Sequence, residues 1–188
     1  KRTHNEDSFL LLPAHSVFCI ADGMGGHSSG EVASRIAVEE LSEFFRMTSE
    51  DRDCTWPYKL DKSRTYDENR LATGIKLANR TIYERAQEDA KYRQMGTTIV
   101  TVYFVNSTAY VGHVGDSRVY RFHEGKLEQL TEDHSLLNDY IKAKKLTAEE
   151  IENFPHKNVI VRALGMKDTV AVDVVRVEPT DGDLFLLC

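Results

Sequence analysis

Thr98-Ile99-Val100-Thr101-Val102-Tyr103-Phe104-Val105, then Ala109-Tyr110-Val111-Gly112-His113-Val114, then Ser117-Arg118-Val119-Tyr120-Arg121-Phe122, is the stretch whose reading decides the fold. It is rich in β-branched and aromatic residues and alternates with period two, so it predicts strands. With Lys126–Leu130 beyond the tight turn His123-Glu124-Gly125, it reads as four consecutive antiparallel strands with short connections. Upstream, Ser8–Leu12 and Ser16–Ala21 flank Pro13-Ala14-His15 as a hairpin, and downstream Val170–Val177 and Leu184–Leu187 add two strands. Helices fill the intervals. One follows Ser28, which stands at capping-box spacing from Glu31, with Ala33, Ala37, Leu41 and Phe44 on one stripe. The clearest runs from Asp67 to Ala90, with Leu71, Ile75, Ala78, Ile82 and Ala86 at helical spacing. Ser135–Lys145 and Ala148–Asn153 are shorter, the second capped by Thr147. Apolar helix stripes beside many antiparallel strands imply a sheet core with helices on its faces.

Residues 1–188, with 41% apolar content, suit one domain with a real core. A net charge of −6 and a pI near 5.7 argue against a nucleic-acid partner. The longest apolar runs, Phe9–Leu12 and Leu184–Leu187, are far too short to span a membrane. Cys19, Cys54 and Cys188 are odd in number and scattered, which disfavours a disulfide framework or structural zinc and points to the cytoplasm. Both ends read as cut, and residues 47–66 read as a polar surface insertion. Within it, Trp56 and Tyr58 offer a docking surface or pack onto the neighbouring helix, the second being favoured.

Three acidic clusters fall where strands should end: Asn5-Glu6-Asp7, Ala21-Asp22-Gly23-Met24-Gly25-Gly26-His27 and Val114-Gly115-Asp116-Ser117-Arg118. Hard divalent cations take oxygen ligands, and a carboxylate fixed at a strand end with glycine after it offers a side-chain and a backbone oxygen together. The glycine loop is neither a phosphate-cradling Walker loop, lacking Gly-Lys-Ser/Thr, nor an EF-hand, lacking alternating oxygen ligands. Glu6-Asp7 alone reads as a solvated face. Asp116 is the stronger signal, although its plain reading is a turn carboxylate paired with Arg118. The seven histidines show no zinc-hydrolase spacing, and no Gly-x-Ser-x-Gly is present.

The series Arg2-Thr3-His4-Asn5-Glu6-Asp7-Ser8, Ala21 to His27, Gly96-Thr97-Thr98, Val114 to Tyr120, Leu130-Thr131-Glu132-Asp133-His134-Ser135 and Ala163-Leu164-Gly165 resembles the metal-dependent protein phosphatases of the type-2C class. It looks most like their bacterial branch, and the motifs run in the family's order across nearly the whole chain. The resemblance implies an α+β fold, an α-β-β-α four-layer sandwich of two mainly antiparallel sheets, with its C-terminal part missing. It implies a serine/threonine phosphatase with two Mn²⁺ or Mg²⁺ ions and a third, weaker one. Asp22 would bridge two metals, the Gly23 carbonyl would bind one, Glu6 would hold a metal water and Asp7 would support that shell. Arg2 would bind the substrate phosphate, Asp116 would help hold the third metal, and residues 136–161 would form a mobile flap. The implied partners are phosphoserine and phosphothreonine proteins, substrates of a kinase in the same cell. Two departures stand out. Met24 replaces the histidine that eukaryotic members use as leaving-group acid, leaving a water or His27 for that role. The late Ser-Asp-Gly and Asp-Asn motifs, both metal-ligating in the family, are absent. A catalytically silent domain of the same fold, binding phosphoproteins without hydrolysing them, is the alternative reading.

Overall fold

The computed structural model describes residues 4–25, 29–50, 55–144, 146–155, 157 and 159–188. Two antiparallel sheets carry it. The first has the order β1 (Asp7–Leu12), β2 (Val17–Met24), β4 (Ile99–Val105), β5 (Thr108–Val114) and β8 (Asp173–Val177), with the short β3 (Gly96–Thr97) paired to the end of β2. The second is β7 (Lys126–Gln129), β6 (Val119–His123) and β9 (Leu184–Leu187).

Alternation along β4 decides the layering. Ile99 and Tyr103 are buried with residues of α1 (Ser29–Glu50) and α2 (Tyr66–Glu88), among them Leu41, Phe45, Leu71 and Ile75. Val100 and Val102 are buried with Ala109, Val111 and Val119, with Phe185 and Leu187 of β9 against them. Both helices therefore cover one face of the first sheet, and the second sheet packs on the other. This refines the expectation of helices on the sheet's faces.

α2 is fixed to α1 by a buried cation. The Arg70 guanidinium donates to Thr48 Oγ1 (2.8 Å), Tyr103 Oη (2.9 Å) and the Phe45 carbonyl (2.8 Å), and lies 4.6 Å from the centre of the Phe45 ring. Such a buried charge is tolerable because its donors are satisfied.

Several boundaries differ from the sequence reading. The long helix runs Tyr66–Glu88 rather than Asp67–Ala90, because Thr65 and Glu68 form a capping box ahead of it and Ala90–Tyr92 turns as a separate 3-10 segment. α1 continues through Met47–Glu50, where an insertion was expected. Ser28 and its expected cap lie outside the described residues. Trp56 packs edge-on against Phe44 and beside Tyr66, and Tyr58 donates to the Lys76 carbonyl (3.3 Å), so the aromatic pair is committed to the helices. Thr147 caps α4 (Ala148–Glu152) as expected, Glu150 completing a capping box there, after α3 (Leu136–Lys144).

The largest correction concerns the four consecutive strands. β4 pairs with β5 and β6 with β7, but β5 and β6 lie in different sheets. Gly115-Asp116-Ser117-Arg118 is thus a crossover between the layers rather than a hairpin turn. Alternation reveals that a segment is a strand, but not which sheet receives it.

Candidate metal centre

β1 and β2 pair so that Asp7 stands directly opposite Asp22. Opposed residues of an antiparallel pair point to the same face, with Cα atoms about 4.5–5.5 Å apart. The same face carries Phe18 and Ile20, which stand opposite Val102 and Val100 of β4, the residues turned toward the second sheet. The two carboxylates therefore sit at one end of the space between the sheets. Like charges placed directly opposite destabilise a sheet unless something cationic lies between them.

Glu6 joins them through its backbone. Its carbonyl accepts from the Gly23 N–H (3.1 Å) and from the Ser34 hydroxyl (2.6 Å), whose oxygen lies 2.9 Å from Ser8 Oγ. Gly23 faces Gly30, in the first turn of α1, at a distance that admits no side chain. A Cβ on Gly23 would lie 2.2 Å from the Gly30 carbonyl oxygen and 2.5 Å from that of Glu6. One on Gly30 would lie 2.8 Å from the Gly23 carbonyl carbon and 3.0 Å from Glu6 Cδ, so the Glu6 carboxyl overlies this glycine contact.

The Asp22 backbone is held from the opposite side. Its N–H donates to Thr98 Oγ1 (3.1 Å), and its carbonyl accepts from the Thr98 N–H (2.9 Å) and from Thr97 Oγ1 (2.9 Å). Thr98 Oγ1 also lies 2.6 Å from Ser117 Oγ, both groups buried. One hydroxyl thus ties the Asp22 strand end to the crossover that carries Asp116. Burial raises the pKa of the Asp116 carboxyl, and the nearby Asp133 raises it further. Arg118 does not pair with Asp116, contrary to expectation. It makes a two-pronged bond to Asp133 (2.8 and 2.6 Å) and donates to Tyr120 Oη (3.0 Å).

The structure therefore brings Glu6, Asp7, Asp22 and Gly23 together and links Asp116 to them through Thr98 and Ser117. Arg2 and His27 lie outside the described residues. Sequence reading missed Gly30, Ser34 and the Thr98 hydroxyl. A glycine seven residues after Gly23, and a serine beside the alanine stripe of α1, were the signals present.

The oxygen groups gathered here, three carboxylates and the Gly23 carbonyl, fit a hard divalent cation and its coordinated water. Comparison with known proteins gives the family. The protein phosphatase 2C family matches residues 1–178. The chain belongs to the protein phosphatase 2C family. It is a serine/threonine protein phosphatase of the bacterial branch, as the resemblance implied. It is 35% identical over 190 residues to protein phosphatase PhpP of Streptococcus pneumoniae, covering 100% of this chain and 72% of that protein. The Streptococcus agalactiae serine/threonine phosphatase superposes with a TM-score of 0.82 at 32% identity, over 100% of this chain and 74% of that one. The catalytic domain of the phosphatase PstP, solved in complex with two manganese ions, superposes with a TM-score of 0.75 at 29% identity, over 100% of this chain and 71% of that one.

Proposed function

We propose that the site on Glu6, Asp7, Asp22 and Gly23 holds two Mn²⁺ or Mg²⁺ ions and hydrolyses phosphoserine and phosphothreonine in proteins phosphorylated by a cytoplasmic kinase. The observation that carries this reading is the Asp7–Asp22 register, which sets two carboxylates side by side at the mouth of the inter-sheet space, next to the Gly23–Gly30 contact. Bound divalent cations neutralise phosphoryl charge and acidify a water enough for it to attack at neutral pH.

The chain's own groups position these parts. Asp22, locked by Thr98 and Thr97, would offer its carboxylate to the ions, and the Gly23 carbonyl would add a second oxygen. Glu6, held through its carbonyl by Ser34 and Gly23, would hold a metal-coordinated water, and Asp7 would support that shell. Arg2 supplies a planar fork of donors to the phosphate oxygens. Water attacks phosphorus in line, the P–O bond to the serine or threonine oxygen breaks, and that oxygen takes a proton from water or from His27, since Met24 has none to give. Asp116 would help hold a third, weaker ion.

The proposed four-layer sandwich extends beyond the described elements. Phe122, Leu127 and Leu184 stand opposite one another on the outer face of the second sheet and are 41%, 61% and 65% exposed, an apolar surface a further helix would cover. Beside it opens an apolar groove of about 520 Å³ lined by Phe9, Leu11, Phe18 and Phe185, where further strands would lie. No described helix is long and apolar enough to cross a membrane, and among the described residues Cys19 and Cys188 are free thiols. Phosphate release from a phosphothreonine peptide tests the reading. Release that requires Mn²⁺, stops with EDTA and is lost in Asp22→Asn supports it. Mn²⁺ binding at Asp22 without release would indicate the silent domain.

A further inference from the structure

We propose that His134 is a positioning residue: it locks the Gly115–Ser117 crossover, and with it the Asp116 carboxylate, to the root of the segment 135–161. The claim about the metal rests on the site reading above; the claim about the loop stands on hydrogen bonds alone. His134 and Gly115 make a reciprocal pair. The His134 N–H donates to the Gly115 carbonyl (2.9 Å), and the Gly115 N–H donates to His134 Nδ1 (2.9 Å). Gly115 has φ +111°, and a Cβ there would lie 2.7 Å from the Thr98 side chain, so the loop has little room to settle elsewhere.

The same residue holds both ends of the flap segment. The Val161 N–H donates to the His134 carbonyl (2.9 Å), Ser135 bridges to Ile160, and the Leu136 N–H donates to the Val159 carbonyl (2.9 Å). Any movement of that root is therefore transmitted through one buried residue to the residue preceding Asp116.

The ring's hydrogen-bond roles follow from its partners. Because Nδ1 accepts the Gly115 N–H, the ring proton sits on Nε2 and is donated to Asp173 Oδ2 (2.9 Å). Arg162 Nη1 donates to Asp173 Oδ1 (3.1 Å) and also lies 3.0 Å from His134 Nε2, so the Asp173 carboxylate is the shared acceptor that holds both donors. The His134 ring stacks on His113 with centres 4.7 Å apart and planes inclined by 14°. His113 Nε2 donates to the Glu132 carbonyl (3.0 Å).

These contacts also dispose of a rival role. His113, His134 and Asp173 bring potential ligand atoms within 4.8 Å of one another. A histidine lone pair lies in the plane of its ring, and two nearly parallel stacked rings cannot direct theirs at one ion. Both His134 nitrogens are engaged as well. The cluster is a clamp, not a metal site.

Two conservative variants separate the ring's functions. Asn at position 134 places an acceptor where Nδ1 stands, whereas Gln places its amide where Nε2 stands and leaves the Gly115 N–H without a partner. In the metal-free protein, His134→Gln should speed hydrogen exchange of the Gly115 amide by about tenfold or more, while His134→Asn stays within about threefold of the parent. In the Mn²⁺-loaded protein, the Gln variant should need about tenfold more Mn²⁺ for half-maximal turnover, with kcat at saturating Mn²⁺ changed less than about threefold. Direct counting of bound Mn²⁺ by electron paramagnetic resonance should show the weakest site emptying first. Unchanged Gly115 exchange in His134→Gln, or equal losses in the Asn and Gln variants, would overturn the proposal. Asp116→Asn run alongside tests the underlying reading: if it leaves the Mn²⁺ requirement unchanged, the third-metal assignment falls, and the Gly115 exchange alone judges the clamp.

Discussion

Gly23→Ala probes the site at its tightest point. The added Cβ would meet the Gly30 carbonyl oxygen at 2.2 Å, its carbon at 2.4 Å and the Glu6 carbonyl oxygen at 2.5 Å. Ordinary contact begins near 3.5 Å, so the end of β2 and the start of α1 must separate by about 1 Å. All three obstacles are backbone atoms, and none can swing aside as a side-chain tip would. Overpacking of this kind costs about 1–3 kcal/mol, and this case belongs at the upper end. For a chain of this size that lowers Tm by about 6–12 °C. The displaced atoms are the Glu6 carbonyl and the backbone beside Asp22, so function should suffer beyond stability. A misplacement of about 1 Å at a reacting centre costs about 10²-fold in rate. The assay is phosphopeptide hydrolysis against Mn²⁺ concentration, with a thermal melt on the same samples. Gly125→Ala is the control: its φ is +77° but nothing lies within 4 Å of its Cβ, so it should lose about 1 kcal/mol and keep the parent's Mn²⁺ dependence. A Gly23→Ala protein that melts lower yet keeps the parent's Mn²⁺ dependence and turnover would refute the argument.

Thr98→Val keeps the shape of the side chain but removes the hydroxyl shared by Asp22 and Ser117. It should cost about 1–3 kcal/mol in urea melts and raise the Mn²⁺ requirement; a stability loss with normal Mn²⁺ dependence would deny the bridge a functional role. Arg70→Met removes the buried guanidinium and its bonds to the Phe45 carbonyl, the Thr48 hydroxyl and Tyr103 Oη, leaving Thr48 only its bond to the Phe44 carbonyl, and should cost about 2–4 kcal/mol without altering turnover at 25 °C. Burial lowers the pKa of His113, so the unfolded chain takes up this proton first, near pH 6.5. Below that pH the unfolded state binds more protons, and stability must fall as pH falls toward the depressed folded value. Urea melts between pH 7.5 and 5.5 should show a shallower decline in His113→Phe than in the parent, and equal slopes would contradict this. Burial pushes the Cys19 thiol up to about 12, so iodoacetamide at neutral pH should label the exposed Cys188 and spare Cys19 in the folded protein, as mass spectrometry would read.

Much of this was legible in the sequence because the signals were local. Period-two runs marked β4 to β7, the apolar stripe at Leu71, Ile75, Ala78 and Ile82 marked α2, and the carboxylate-glycine pairs marked the strand ends. What escaped depended on contacts between distant segments. The passage from β5 to β6 looks like any short turn until one knows that two sheets lie on either side of it. The Gly23–Gly30 contact joins a strand end to a helix start across a loop, and no spacing rule couples them. Thr98 reads as one more alternating strand residue, yet its hydroxyl reaches Asp22 and Ser117 at once. Arg118 illustrates the opposite error: proximity in sequence suggested Asp116 as its partner, while the fold delivers Asp133 from 15 residues away.

The most direct test of the central claim is the anomalous scattering of manganese in crystals grown with Mn²⁺. Two ions should appear at the end of the inter-sheet space, each with oxygen ligands at about 2.0–2.2 Å, with the Asp22 carboxylate shared between them and the Gly23 carbonyl on one. Manganese bound instead at His113, His134 and Asp173, or a fully loaded crystal in which the Asp22 carboxylate touches no ion, would contradict it.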